Sequence, residues 1–160
     1  MDTKKYEDYK KQLIEILIAF LKNLNSLEEE YNIMEENFNN SYEGNQIPVE
    51  LIDKGRQIWK EFSQKKRGIL REYCTEKVSE TPRIGGSMGK PTQFYFIEKE
   101  HNLQFIMKTE KKAVIEIDYE EWKGSCFGKQ FIFSPTKDGW KINSIKERLG
   151  KDESWSKTYM

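Results

Sequence analysis

The feature that most constrains this chain is a change of hydrophobic period near residue 80. Before it, apolar residues recur every three or four positions: Leu13, Leu17, Phe20 and Leu21, Leu24, Leu27, Tyr31, Met34, Phe38 and Tyr42. That spacing lays one apolar stripe along an α-helix. After residue 80, apolar and polar residues alternate, which sends successive side chains to opposite faces of a strand. A chain that changes period once builds a helical half and a sheet half, and each buries its apolar face on the other. The expected fold is therefore α+β, with N-terminal helices packed on one face of a curved antiparallel sheet. A length of 160 residues fits a single domain, 1–160, with a helical half at 1–80 and a sheet half at 81–160.

The first stripe predicts one long helix, or two interrupted near Asn23-Leu24-Asn25-Ser26. In the second case Ser26 is the N-cap, with Glu28 and Glu29 in the first turn, where the helix dipole favours acids. Ser41-Tyr42-Glu43-Gly44-Asn45 predicts a turn. Pro48 then opens a second helix, with Leu51, Ile52, Trp59, Phe62, Ile69, Leu70 and Tyr73 inward and Lys60, Lys65, Lys66 and Arg67 outward. It should stop before Ser79, since Pro82 cannot continue it. Trp59 and Phe62 are expected between this helix and the sheet, so that Trp59→Ala costs roughly 3–5 kcal/mol.

Residues 82–92 are a loop by composition. Alternation then predicts strands over 103–108, 113–120, 127–134 and 140–145, with Tyr95–Ile97 as a short fifth. Turn signals separate them at Glu110-Lys111-Lys112, Lys123-Gly124-Ser125 and Lys137-Asp138-Gly139. In the last strand Trp140, Ile142 and Ser144 fall on one face and Ile145 on the other.

Lys plus Arg equals Asp plus Glu at 27 each, so the basic excess of a nucleic-acid binder is missing. The balance is uneven along the chain. Residues 1–50 hold 5 Lys/Arg against 11 Asp/Glu, a net of −6, and the remainder is +6. One His and two Cys cannot supply a four-ligand structural zinc site, so no metal and no cofactor is expected. Cys74 and Cys126 are expected as free thiols of a cytoplasmic protein. The apolar run Leu13–Leu21 is too short to span a membrane and contains Glu15, and its leader lacks the pattern of a signal peptide.

Gly85-Gly86-Ser87-Met88-Gly89-Lys90-Pro91-Thr92 imitates a phosphate loop but fails the motif, with Pro91 where Ser or Thr should hold magnesium. His101, the only imidazole, offers a general base beside Glu116 or Asp118, or a partner for a Cys74 or Cys126 nucleophile. A partly solvated strand-start His and inert thiols are the simpler reading. Glu116, Asp118, Glu120 and Glu121 are expected on a water-facing side of the sheet, opposite Ile115, Ile117 and Tyr119. The inward face, with Leu103, Phe105, Met107, Ile115, Ile117, Phe131 and Phe133, shows no nameable carboxylate. Glu28-Glu29-Glu30, Glu35-Glu36, Glu43 and Glu50 form either a solvated helix face or an acidic patch for a basic partner. Tyr119 and Trp122, at a hairpin tip, are the aromatic interface candidates, because aromatics serve as anchors.

Several segments together resemble the bacterial immunity proteins with a nuclear-transport-factor-2-like fold, the partners of Rhs and other polymorphic toxins. They are Thr81-Pro82-Arg83-Ile84-Gly85, Phe94-Tyr95-Phe96, Lys111-Lys112-Ala113-Val114-Ile115-Glu116, Lys129-Gln130-Phe131-Ile132-Phe133, Asp138-Gly139-Trp140-Lys141-Ile142 and the terminal Trp155 and Thr158. The resemblance covers residues 81–160 and implies a helix-lined cone and a non-enzymatic protein. Such a protein binds one cognate toxin one-to-one and occludes its active site or substrate groove, without nucleic acid or membrane as a direct partner. The alternative on the same fold is a small cavity-based lyase or isomerase. The expected toxin contacts are Glu35, Glu36, Tyr119, Glu120, Glu121 and Trp122.

Overall fold

The fold is that of a computed structural model describing residues 2–81, 91–122, 124–158 and 160, without the side chains of Glu121 and Trp122. The architecture is α+β: N-terminal helices and a five-stranded antiparallel sheet that does not close. Helix α1 runs Thr3–Asn39 without a break, and α2 runs Ile52–Tyr73, entered through a 3-10 turn at Val49–Leu51. A short α3 follows at Glu76–Ser79. The strands are β1 Asn102–Thr109, β2 Lys112–Trp122, β3 Ser125–Thr136, β4 Gly139–Arg148 and β5 Ser156–Lys157, in sequential order. Among the described residues no helix is long and apolar enough to cross a membrane.

Asp2 starts α1 by accepting the Lys5 N–H at 2.8 Å, satisfying a free donor of the first turn. The interruption near Asn23–Ser26 does not occur. Asn25 does not turn back on its own helix. Its amide donates to the Phe94 carbonyl at 2.8 Å, and its oxygen accepts the Phe94 N–H at 3.2 Å. Glu28, one turn on, accepts the Gln93 N–H at 3.0 Å. These side chains fix the backbone of Gln93 and Phe94, and the segment that follows is not a strand but a 3-10 helix, Tyr95–Glu98, whose Ile97 N–H bonds back to the Phe94 carbonyl at 3.1 Å. The fifth strand is the terminal β5.

α2 stops at Tyr73, the last residue of its apolar stripe and before Ser79, as the pattern predicts. Cys74 turns to an extended conformation and bridges to Ile142 of β4, and the Thr75 N–H donates to the Ile142 carbonyl at 2.9 Å. β4 carries a bulge at the same place. Ile132 faces Ser144 and Phe133 faces Ile142, so Asn143 is an extra residue, and it accepts the Thr75 hydroxyl at 2.9 Å. One extra residue shifts the phase of alternation, so Ile142 and Ile145 both point into the core instead of to opposite faces.

The core has two parts. The larger is sandwiched between the sheet and the first two-thirds of α1, with Leu13, Leu17, Phe20 and Leu21 against Phe105, Ile115, Phe131 and Phe133. Tyr6 closes one edge by donating its hydroxyl to the Phe105 carbonyl of edge strand β1 at 3.2 Å, a group a neighbouring strand would otherwise seek. The smaller part lies between the last turns of α1 and the first half of α2, built from Leu27, Tyr31, Phe38, Ile58 and Phe62. Here the two helices form an arm that does not rest on the sheet. Phe62 is therefore buried against α1, contrary to expectation, and Trp59 stands at the surface with 36% of its area exposed. Lys66 also departs from its expected outward position, being only 3% exposed.

Candidate functional site

Two separate surfaces collect the chemistry-bearing residues. The first lies at the end of the sheet where β1 starts and β2 turns into β3. The hairpin is closed by Glu120, whose carboxylate accepts the Gly124 N–H at 2.7 Å, and by Gly124 itself at φ +81°. Cross-strand pairing sets Asn102 opposite Asp118 and Glu120 opposite Cys126. These residues, with His101 and Tyr119, border an open cleft of about 660 Å³.

The cleft holds an imidazole, carboxylates and a thiol, yet they are engaged elsewhere. His101 Nδ1 lies 2.8 Å from the Lys99 carbonyl. A carbonyl only accepts, so Nδ1 carries the proton and Nε2 is the nitrogen with the lone pair in the neutral ring. Both Asp118 oxygens accept from Arg148 at 3.0 Å. That bridge spans β3 over Gly128, where a Cβ would fall 2.6 Å from Asp118 Oδ1 and 3.0 Å from the Trp155 ring. Trp155 in turn stacks on the Arg148 guanidinium, 4.2 Å from its ring centre. Asp118 is therefore not the water-facing acid of the sequence expectation but half of an ion pair roofed by an indole. No hydrogen bond among the described residues joins His101 to Asp118, Glu120 or Cys126, and no group of three metal-binding side chains occurs among them.

Tyr119 is not a free anchor either. Its ring stacks on Phe96 at 4.1 Å, with Tyr95 and Phe127 around it, and joins the margin of the core. Glu121 and Trp122 are the last two residues of β2, and their side chains lie outside the described residues, as do most of the phosphate-loop-like segment and residues 82–85 of the resemblance. Both cysteines are free; burial pushes the Cys74 thiol up to about 12, which leaves it inert as a nucleophile. On the helix-facing side of the sheet one carboxylate does occur, against expectation: Glu147, which accepts from Lys129 at 2.9 Å.

The second surface is the tip of the arm. Glu35 borders a groove of about 480 Å³ between the end of α1 and the start of α2, floored by Phe38, Ile52, Ile58 and Trp59 and flanked by Ile47. Glu36 is exposed beside it. Gly55 makes the close helix crossing possible, since a Cβ there would sit 3.0 Å from the Phe38 ring. Ten residues of helix separate Glu35 from Asn25, the contact to the sheet-side segment, a rise of about 15 Å. The expected contacts Glu35 and Glu36 thus fall on a different surface from Tyr119 and Glu120.

Trp59 and Ile47 were the residues sequence reasoning misplaced or passed over. The signal was present in α2: Ile58, Phe62, Lys66 and Leu70 follow one face at four-residue steps, and Trp59 lies just off it. Lys66 hides that face because its charge reads as solvent. Burial lowers its pKa, and the nearby Glu28 carboxylate pulls the other way.

Compared with family models, curated proteins and solved structures, the chain shows no match.

Proposed function

We propose that this chain is a non-enzymatic, cytoplasmic immunity protein with a nuclear-transport-factor-2-like fold, binding one cognate Rhs-type toxin domain and covering its active site or substrate groove. The observation that carries this reading is the filling of the space between helices and sheet. In a cone-shaped enzyme that space holds the substrate. Here Phe20, Phe94, Phe96, Phe131 and Phe133 occupy it, each at most 1% exposed. A second support is the disposition of the cleft residues, with Asp118 committed to Arg148 and His101 turned to its own backbone.

Co-expression tests the proposal. The toxin domain encoded beside this gene should kill cells alone and spare them when this chain is present. The two should also elute as a one-to-one complex in size-exclusion chromatography with light scattering. The lyase or isomerase reading would replace this one if the purified protein turned over or saturably bound small apolar ketones and lost that property in His101→Ala or Asp118→Asn.

A further inference from the structure

We infer that the groove at the arm tip is the docking site for a cationic helical segment of the partner that inserts one bulky apolar side chain between α1 and α2. The inference rests on the protein-binding reading above and assigns it a surface. The groove is apolar at its floor and open at its mouth. Trp59 is 36% exposed and Ile47 44% at the groove, and Val49, two residues past Ile47 in the connecting segment, is 83% exposed. Two large exposed apolar side chains, Trp59 and Ile47, border one concavity and form the kind of centre in which anchor residues act.

Charge selects the occupant. Residues 33–56 carry five carboxylates, Glu35, Glu36, Glu43, Glu50 and Asp53, against the two cations Lys54 and Arg56. Arg56 already lies 3.9 Å from Asp53. Glu35 and Arg56 line the groove itself, one of each sign, and the excess of carboxylates lies on the helix ends and the connecting loop around it; the tip as a whole is therefore net negative around an apolar floor, which favours a basic segment and disfavours a second copy of this chain, whose own acidic tip would be apposed to it. Shape selects a helix. The groove runs between two helices and offers no unpaired strand, so backbone pairing is not available there, whereas a third helix can seat a side chain between two others.

The test uses three synthetic peptides with the full chain: a basic amphipathic helix with one Leu anchor, the same helix with its lysines exchanged for glutamates, and the basic helix with the anchor changed to Ser. Calorimetry should show saturable one-to-one binding of the first only, weakening with salt. Trp59→Ala and, separately, Glu35→Lys should each weaken it by about tenfold or more, the scale of an anchor or a key rim charge. Both positions are at the surface, so folding is checked simply by an unchanged circular dichroism spectrum. Absence of binding, equal binding of the acidic peptide, indifference to both variants, or sedimentation showing self-association that Ile47→Glu abolishes would each overturn the inference. A toxin complex that forms and ignores Trp59→Ala and Glu35→Lys overturns the docking site while the immunity reading stands. Peptide binding as described, with no toxin complex, keeps the groove and removes the immunity reading.

Discussion

The two ends of α1 have the same hydrophobic period and different fates. Its first two-thirds lie on the sheet, and Leu13, Leu17, Phe20 and Leu21 are wholly buried there between layers. Its last turns meet α2 and the connecting segment with Tyr42 and Leu51 but, among the described residues, no strand, so Leu27, Tyr31 and Phe38 are covered without the sheet and one flank stays open to water. An apolar stripe states that something will cover it, not how thick the cover is. Two-sided burial makes a rigid core; one-sided burial leaves a groove, and grooves are where partners bind.

The comparison is tested most strongly by deleting one ring on each side. Phe20→Ala should cost about 4–5 kcal/mol and Phe62→Ala about 3, because the arm can collapse onto the space more easily than a site held between helix and sheet. Urea melts decide it, and equal losses would mean the arm is held as tightly as the core.

Alkaline pH separates the regions by sign. Cys74, where α2 meets the sheet, is pushed up to about 12 from an ordinary 9.0. The stability it contributes as a neutral thiol is complete below pH 9 and is lost as pH rises toward 12, by about 1.4 kcal/mol per unit at most. Lys66, in the helical layer, is shifted down, so its window runs below the ordinary 10.5 and stability rises with pH across it. Melts from pH 8 to 11 should show the wild type losing ground to Cys74→Ala and gaining on Lys66→Met. Parallel curves for all three would deny both buried positions.

Two glycines sharpen the contrast further. Gly128→Ala drives a Cβ into the Asp118–Arg148 bridge and the Trp155 ring and should cost about 1–3 kcal/mol. Gly55→Ala meets only the outer edge of the Phe38 ring, and helix propensity returns about 1 kcal/mol, so the net change should be under about 1 kcal/mol. A larger loss at Gly55 than at Gly128 would make the arm crossing the tighter of the two contacts.

Trp59 tests the open flank itself. With a third of its area in water and its ring edge-on to Phe62, Trp59→Ala should cost about 1–2 kcal/mol, in place of the 3–5 that a buried site would give. A large loss in a thermal melt would return Trp59 to the core and close the groove.

Element types were legible because local pattern decides them. The 3.6 and 2 periods marked α1, α2 and the four main strands, and the turn residues at 110–112, 124–125 and 137–139 fell where the hairpins turn. Places where a distant partner competes with local preference were not legible. The segment 95–98 coils directly after Gln93 and Phe94, whose backbone groups are held by Asn25 and Glu28 from distant positions in the chain. Ile145 turns inward because β4 bulges where Thr75 docks. Of the candidate site, Glu35 could be named from its charge, but its neighbours Trp59, Ile47 and Phe38 lie up to 24 positions away in the chain.

By itself, then, the sequence determined the α+β class, the order of α1, α2 and the four main strands, the meander and the acidic front, since each follows from residues within a turn or a strand of one another. Tertiary structure alone decided which stripe is covered on both sides and which on one. It also decided that Lys66 is inside and Trp59 outside, and that Asp118 is bound to Arg148 across Gly128. The physical reason is that burial belongs to pairs of surfaces. A helix can declare an apolar face, but the area removed from water depends on what the rest of the chain brings against it.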